Sequence, residues 1–200
     1  MFYDRHSMFR TLSTFLAIGS LLLLGISSPA ADTQSDVDVR HTGDKVPNFK
    51  VRTLDGRKTT LRAIQSDENS NSSGVTVLTF WCSFCGSCRM VDQPLSDLSQ
   101  KYKGKVAVMA LDSSAGEEAR TISKVLDEKT LTMPVLIDAR GELADLFGAK
   151  MTTTTIVIDS NSVIRYWGQF KHGDHALAEQ AIEAVLAGKK PAHDHTKERG

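Results

Sequence analysis

The residues Val75-Thr76-Val77-Leu78-Thr79-Phe80 run straight into Trp81-Cys82-Ser83-Phe84-Cys85-Gly86-Ser87-Cys88-Arg89. The first stretch reads as a buried strand, because β-branched and aromatic side chains suit a pleated, packed surface. From Cys85 onward the spacing turns helical, with Met90, Val91, Leu95 and Leu98 as apolar positions. All three cysteines of the chain lie at this junction, between positions 82 and 88. The first turn of a helix presents unpaired N–H groups and the positive end of its dipole. A thiolate placed there is stabilised and becomes a nucleophile near neutral pH. Two cysteines separated by two residues can close a small disulfide across such a turn. A strand-end Cys-x-x-Cys entering a helix is therefore a redox site in principle.

The flanking sequence builds an α/β domain around that junction. Phe49-Lys50-Val51 alternates, Asp55-Gly56 signals a turn, and Thr59-Thr60-Leu61 returns, which predicts a small N-terminal hairpin. The helix after the central strand is expected over about 85–102, with Pro94 kinking it. Val106–Leu111 is nearly continuous apolar sequence, as in a parallel strand covered on both faces. A helix is expected over 114–129, a short strand over 134–137 and a short helix over 142–147. The pattern then gives a strand over 152–158, a tight turn, an antiparallel strand over 163–167, and a last helix over about 175–186. Strands alternating with helices require crossovers that place helices on both faces of one sheet. The terminal hairpin makes that sheet mixed.

The ends of the chain read differently. Arg5 and Arg10 precede an apolar run from Phe15 to Ile26, and Ser28-Pro29-Ala30 supplies small residues. Residues 1–30 thus read as a signal peptide cleaved after Ala30. An uncleaved membrane anchor is the alternative, although the apolar run is short for a span. Residues 31–43 read as a flexible leader, 44–188 as the folded domain and 189–200 as a polar tail. The expected location is outside the cytosol, the periplasm first, with membrane anchoring as the alternative. There, structural disulfides normally join distant parts of a chain. The clustered cysteines allow only local pairs, so a folding staple explains them poorly. With 24 basic and 24 acidic side chains in 200 residues, nothing attracts the chain globally to nucleic acid.

With these elements in place, the chain resembles the thioredoxin fold. More narrowly, it is similar to the exported thioredoxin-like proteins of the TlpA/ResA and redoxin group. The resemblance rests on Phe80-Trp81-Cys82-Ser83-Phe84-Cys85-Gly86-Ser87-Cys88-Arg89, on Met133–Asp138, on Phe147-Gly148 and on Thr152–Asp159. It implies a thioredoxin-like domain, a central mixed sheet flanked by helices. It also implies dithiol/disulfide exchange by Cys85 and Cys88, with a protein thiol or disulfide as substrate. A membrane-bound electron donor, no cofactor and a monomer are the accompanying expectations. Two departures stand out. Thr153 occupies the place where the family carries a cis-proline facing the cysteines, restoring an N–H and adding a hydroxyl there. Pro94 lies one residue later than the usual helix proline.

In this reading Cys85 attacks and Cys88 resolves the mixed disulfide. Trp81 and Phe84 would cover one side of the site and offer a partner an apolar platform, or simply pack between sheet and helix. Arg89 would support the thiolate or lie solvated. Cys82 is open to three readings: a buried free thiol, an alternate disulfide partner, or a metal ligand. With Cys85 and Cys88 it forms a set of soft donors suited to copper or zinc. His172, His175, His193 and His195 are further candidate ligands. The Pro-x-x-x-Thr-x-x-Cys arrangement of peroxidases is missing around all three cysteines, which argues against peroxide reduction.

Overall fold

A computed structural model describes residues 39–199. The expected signal peptide and most of the leader lie outside the described residues. The elements follow as β1 (Lys50–Thr53), β2 (Lys58–Thr60), α1 (Leu61–Gln65), β3 (Thr76–Phe80), a 3-10 turn (Ser87–Met90) and α2 (Asp92–Lys101). Then come β4 (Ala107–Asp112), α3 (Ala119–Glu128), β5 (Val135–Ile137), α4 (Glu142–Phe147), β6 (Thr154–Ile158), β7 (Ile164–Gln169) and α5 (Leu177–Leu186). Among the described residues no helix is long and apolar enough to cross a membrane.

One sheet gathers all seven strands in the order β2-β1-β5-β4-β3-β6-β7. The inner strands β3, β4 and β5 run parallel, and β6 and β7 add antiparallel on one side. The N-terminal hairpin extends the other side by pairing β1 antiparallel to β5. Every residue of β3 is buried, as a central strand covered on both faces requires. Its alternating side chains serve two cores. Val77 joins Leu95 and Leu98 of α2, Ile122 of α3, and Leu177 and Ile182 of α5. Leu78 and Phe80 join Leu61 and Ile64 of α1 and Leu143 and Phe147 of α4 on the opposite face.

Four local expectations need correction. The helix predicted to start at Cys85 is interrupted: the 3-10 turn precedes α2, which opens at Asp92. Pro94 explains the break. Its ring would clash with the carbonyl four residues back and it has no N–H to donate, so it fits only a first turn. Leu95 N–H then makes a regular helical bond to Val91 O at 2.8 Å. The helix expected from Ser114 begins only at Ala119, because Gly116 adopts a φ of 81° and Ser114 N–H turns back to Asp112 Oδ1 at 2.8 Å. Leu61, expected as strand, opens α1, whose N-cap is the Thr60 hydroxyl accepting Ala63 N–H at 3.1 Å.

The fourth correction concerns both ends of the domain. Arg40 N–H already bonds to Leu146 O and Gly43 N–H to Ile164 O, each at 2.8 Å, so packing begins before residue 44. The polar tail is docked along β7. Trp167 and His195 bridge in parallel and stack at 4.8 Å. Gly168 permits this approach, since a Cβ there would meet Thr196 Oγ1 at 2.0 Å.

Phe147 is 1% exposed and meets Phe49 and Phe80 edge to face at 6.2 and 6.5 Å. Phe147→Ala should therefore lower unfolding stability by about 3–5 kcal/mol, measured by urea denaturation. A loss below about 1 kcal/mol would contradict this packing role.

Candidate active site

The cysteine loop leaves the sheet at the end of β3 and is tied to it at once. Trp81 N–H donates to Leu111 O of β4 at 3.0 Å. The Trp81 indole is 1% exposed, and its N–H donates to Asp92 Oδ1 at 2.8 Å. Trp81 is therefore an interior strut and offers no surface to a partner, which corrects one of its two expected roles. Asp92 Oδ2 also pairs with Lys129 at 3.0 Å and Arg89 at 3.2 Å. A buried carboxylate with three such donors fixes the start of α2 against both β3 and α3.

Arg89 has a different place from the one expected. Its guanidinium reaches the carbonyls of Cys85, Ser83 and Cys82 at 3.1, 3.0 and 3.4 Å. It clamps the loop backbone and makes no contact with the sulfur of Cys85. On the other side of the loop, the Ser83 hydroxyl bonds to the Glu117 carboxylate. Sequence reasoning missed Asp92, Asp112 and Glu117, because each looks like an ordinary surface acid until the fold places it.

The three sulfurs lie within 4.8 Å of one another, and all three cysteines are free thiols. Cys88 and Cys82 are buried, at 0% and 4% exposure, whereas Cys85 is half-exposed. Cys85 Sγ accepts Cys88 N–H at 3.1 Å, the donor expected from a helical entrance, here supplied by the 3-10 turn. It also contacts the hydroxyls of Ser87 and Thr152, both at 3.0 Å. Those hydroxyls lie 3.1 Å from each other. Two hydroxyl protons thus serve three contacts, and a thiolate draws both toward itself.

The balance at each sulfur differs. Partial burial of Cys85 by itself raises its pKa. Donation from the Cys88 thiol, the Ser87 and Thr152 hydroxyls and the Cys88 backbone N–H outweighs it and brings the value down to about 7. Burial pushes Cys88 far up, and its proton shared with Cys85 adds to the rise. Cys82 is also raised, by burial first and then by the charges of Cys85, Asp112 and Glu117, against a lowering contact with Ser114. Asp112 is itself raised to about 7, by burial and by Glu117. One acidic sulfur therefore faces solvent above two that hold their protons.

Thr153 needs a correction. It adopts a φ of 69°, a region that a β-branched residue enters only under constraint. Its N–H donates to Phe80 O at 2.6 Å and its hydroxyl to Arg199 O at 2.8 Å. Thr153 thus turns its hydroxyl away from the cysteines, and its neighbour Thr152 supplies the hydroxyl at the sulfur. The strained residue delays the start of β6 to Thr154 and pins the loop to the end of β3. Phe84, beside Cys85, and Met151, beside Thr152, are 73% and 42% exposed. The four candidate histidines do not join the sulfur cluster among the described residues.

Comparison with known proteins agrees with this architecture. Residues 42–167 match the AhpC/TSA family. Thioredoxin-like protein YneN of Bacillus subtilis is 29% identical over 124 residues, covering 62% of this chain and 68% of that protein. Thiol-disulfide oxidoreductase ResA of Halalkalibacterium halodurans is 26% identical over 158 residues, covering 78% and 82%. A Chlorobium tepidum structure assigned as the thiol:disulfide interchange protein DsbE superposes with a TM-score of 0.59 at 29% identity, covering 73% of this chain and 98% of that one. A Sinorhizobium meliloti protein reaches a TM-score of 0.70 at 21% identity over 82% of this chain and 93% of its own, a likeness of fold. A redoxin-type match across most of the folded domain, on a thioredoxin-like sheet with its cysteines at the end of the central strand, makes this chain a member of the AhpC/TSA family.

Proposed function

We propose that Cys85 and Cys88 carry out thiol-disulfide exchange on protein substrates outside the cytosol, the periplasm being the expected compartment. The observation that carries this reading is the half-exposed Cys85 sulfur, ringed by donors and acidic to about 7. The names of the ResA and YneN relatives support the reaction class. The signal-peptide character of residues 1–30 supports the location.

In the first step the Cys85 thiolate attacks one sulfur of a substrate disulfide. A Cys85–substrate disulfide forms and the other substrate sulfur leaves as a thiolate. The Cys88 thiol then attacks Cys85 Sγ. The Cys85–Cys88 disulfide forms, the second substrate sulfur departs, and the Cys88 proton ends on it. Two electrons pass from this chain to the substrate. Regeneration requires a dithiol reductant, for which a membrane-bound donor is the proposed source. The chain acts as a monomer in this scheme.

Phe84 and Met151 give the substrate an apolar landing on either side of the sulfur. A pocket lined by Ser113, Ser114, Lys150, Met151 and Thr152 opens beside them. Cys82 is buried and holds its proton, as Cys88 does, and this scheme assigns it no step.

Four outcomes are expected. Cys85→Ser should lose exchange to below about 1% of wild type, and Cys88→Ser should accumulate a covalent substrate complex, visible by non-reducing electrophoresis. A C85S protein that still exchanges disulfides would overturn the assignment. Because the thiolate is the reactive form, iodoacetamide should label the reduced protein faster as pH rises, with a midpoint near 7 and a plateau above it. Thr152→Val and Ser87→Ala should each move that midpoint upward by about one pH unit, the worth of a hydrogen bond to a charged group. Unmoved midpoints in both variants would remove the hydroxyls from the account. Phe84→Ala should raise KM for a protein disulfide about tenfold while leaving a small aromatic disulfide unaffected. Equal effects on both substrates would argue against a docking role.

A further inference from the structure

We infer that Cys82, Cys85 and Cys88 form a three-coordinate site for monovalent copper. Thiol-disulfide exchange needs two of these sulfurs and leaves Cys82 without a role. Yet Cys82 converges on the same point: the three Sγ atoms all lie within 4.8 Å of one another. A metal–thiolate bond of about 2.3 Å places three trigonal sulfurs about 4.0 Å apart. The sulfurs therefore need to close by less than about an ångström, within the reach of small χ1 adjustments.

The donor set selects the ion. Three thiolates are soft ligands and suit Cu(I) and zinc among the biological metals. Zinc in a closed protein site takes four ligands in a tetrahedron. The group holds no fourth histidine, cysteine or carboxylate among the described residues. Cu(I), with a filled d shell, is satisfied by three thiolates in a plane. Burial agrees with this choice: Cys82 and Cys88 are 4% and 0% exposed. An ion entering past Cys85 would end shielded from water and from oxidation.

The charge is also provided for. Three thiolates around Cu(I) carry a net negative charge, and the three displaced protons pass to solvent. Cys88 N–H, at 3.1 Å from Cys85 Sγ, and the Ser87 and Thr152 hydroxyls, at 3.0 Å, already point at the outer sulfur. The Arg89 guanidinium holds the carbonyls of Cys82, Ser83 and Cys85. It fixes the loop that bears two of the ligands and places a positive charge against it. Copper and the Cys85–Cys88 disulfide use the same sulfurs, so each state excludes the other.

The test is an anaerobic titration of the reduced chain against the Cu(I)–bicinchoninate complex, followed by its colour. Wild type should withdraw one Cu(I) per chain while remaining monomeric by light scattering. Cys82→Ser and Cys82→Ala should each bind it more than about a hundredfold more weakly, with near-UV circular dichroism checking that both retain the fold. Copper binding unchanged in both variants would mean that the Cys-x-x-Cys pair alone holds the ion, and would overturn the three-sulfur site. So would copper-bridged dimers, no copper uptake by wild type, or tighter binding of Zn(II) than of Cu(I) in a parallel titration. An exchange assay on metal-free wild type separates the two readings, because exchange without copper uptake sinks this inference alone.

Discussion

The site depends on a competition at one sulfur. Burial of Cys85 opposes its ionisation, and the donors around it favour ionisation more strongly. Those donors come from two distant parts of the chain. Ser87 and the Cys88 N–H belong to the turn that follows β3, whereas Thr152 belongs to the loop that enters β6. The second loop is pinned to the sheet by Thr153 N–H, which donates to Phe80 O at 2.6 Å. The sheet register that pairs Thr79 with Thr155 therefore sets how close a hydroxyl comes to the reactive atom. A conformational cost of roughly 1–3 kcal/mol at Thr153 is the kind of local strain that functional loops hold in place.

The rest of the architecture keeps that geometry from relaxing. Pro94 ends any continuous helix through the cysteines, so the turn is short and its N–H groups stay close to Cys85 Sγ. Asp92 joins this turn to Trp81 beneath it and to Lys129, the C-cap residue of α3. Removing one partner from such a cluster leaves an uncompensated buried charge. Arg89 ties the loop carbonyls of Cys82, Ser83 and Cys85 together. The tail adds a further constraint: Glu198 Oε1 accepts Lys150 N–H at 2.9 Å, and Arg199 O accepts the Thr153 hydroxyl at 2.8 Å. The segment beside the thiol is thus held by the end of the chain as well as by the sheet.

Much of this was legible in the residues. The order of strands and helices followed from apolar periodicity, and Cys85 was expected at a turn presenting free N–H groups. What escaped reading was set by contacts between distant positions. Trp81 was open to both a platform and a packing role, because its aromatic bulk says nothing about which face it turns inward. Its partner Asp92 lies eleven residues on and reads as a routine helix acid. Thr153 was singled out for the right loop but the wrong side chain, since a positive φ rotates it away and brings Thr152 forward. The tail read only as polar, which is local information, while its docking depends on Trp167 and the missing side chain of Gly168.

The most direct test is a pH titration of the reduced protein with the Cβ carbons of all three cysteines labelled and followed by NMR. The account predicts one transition at Cys85 with a midpoint near 7, and no comparable transition at Cys88 or Cys82 in that range. A Cys85 midpoint at the ordinary thiol value of about 8.5, or a transition near 7 at a buried cysteine instead, would contradict it.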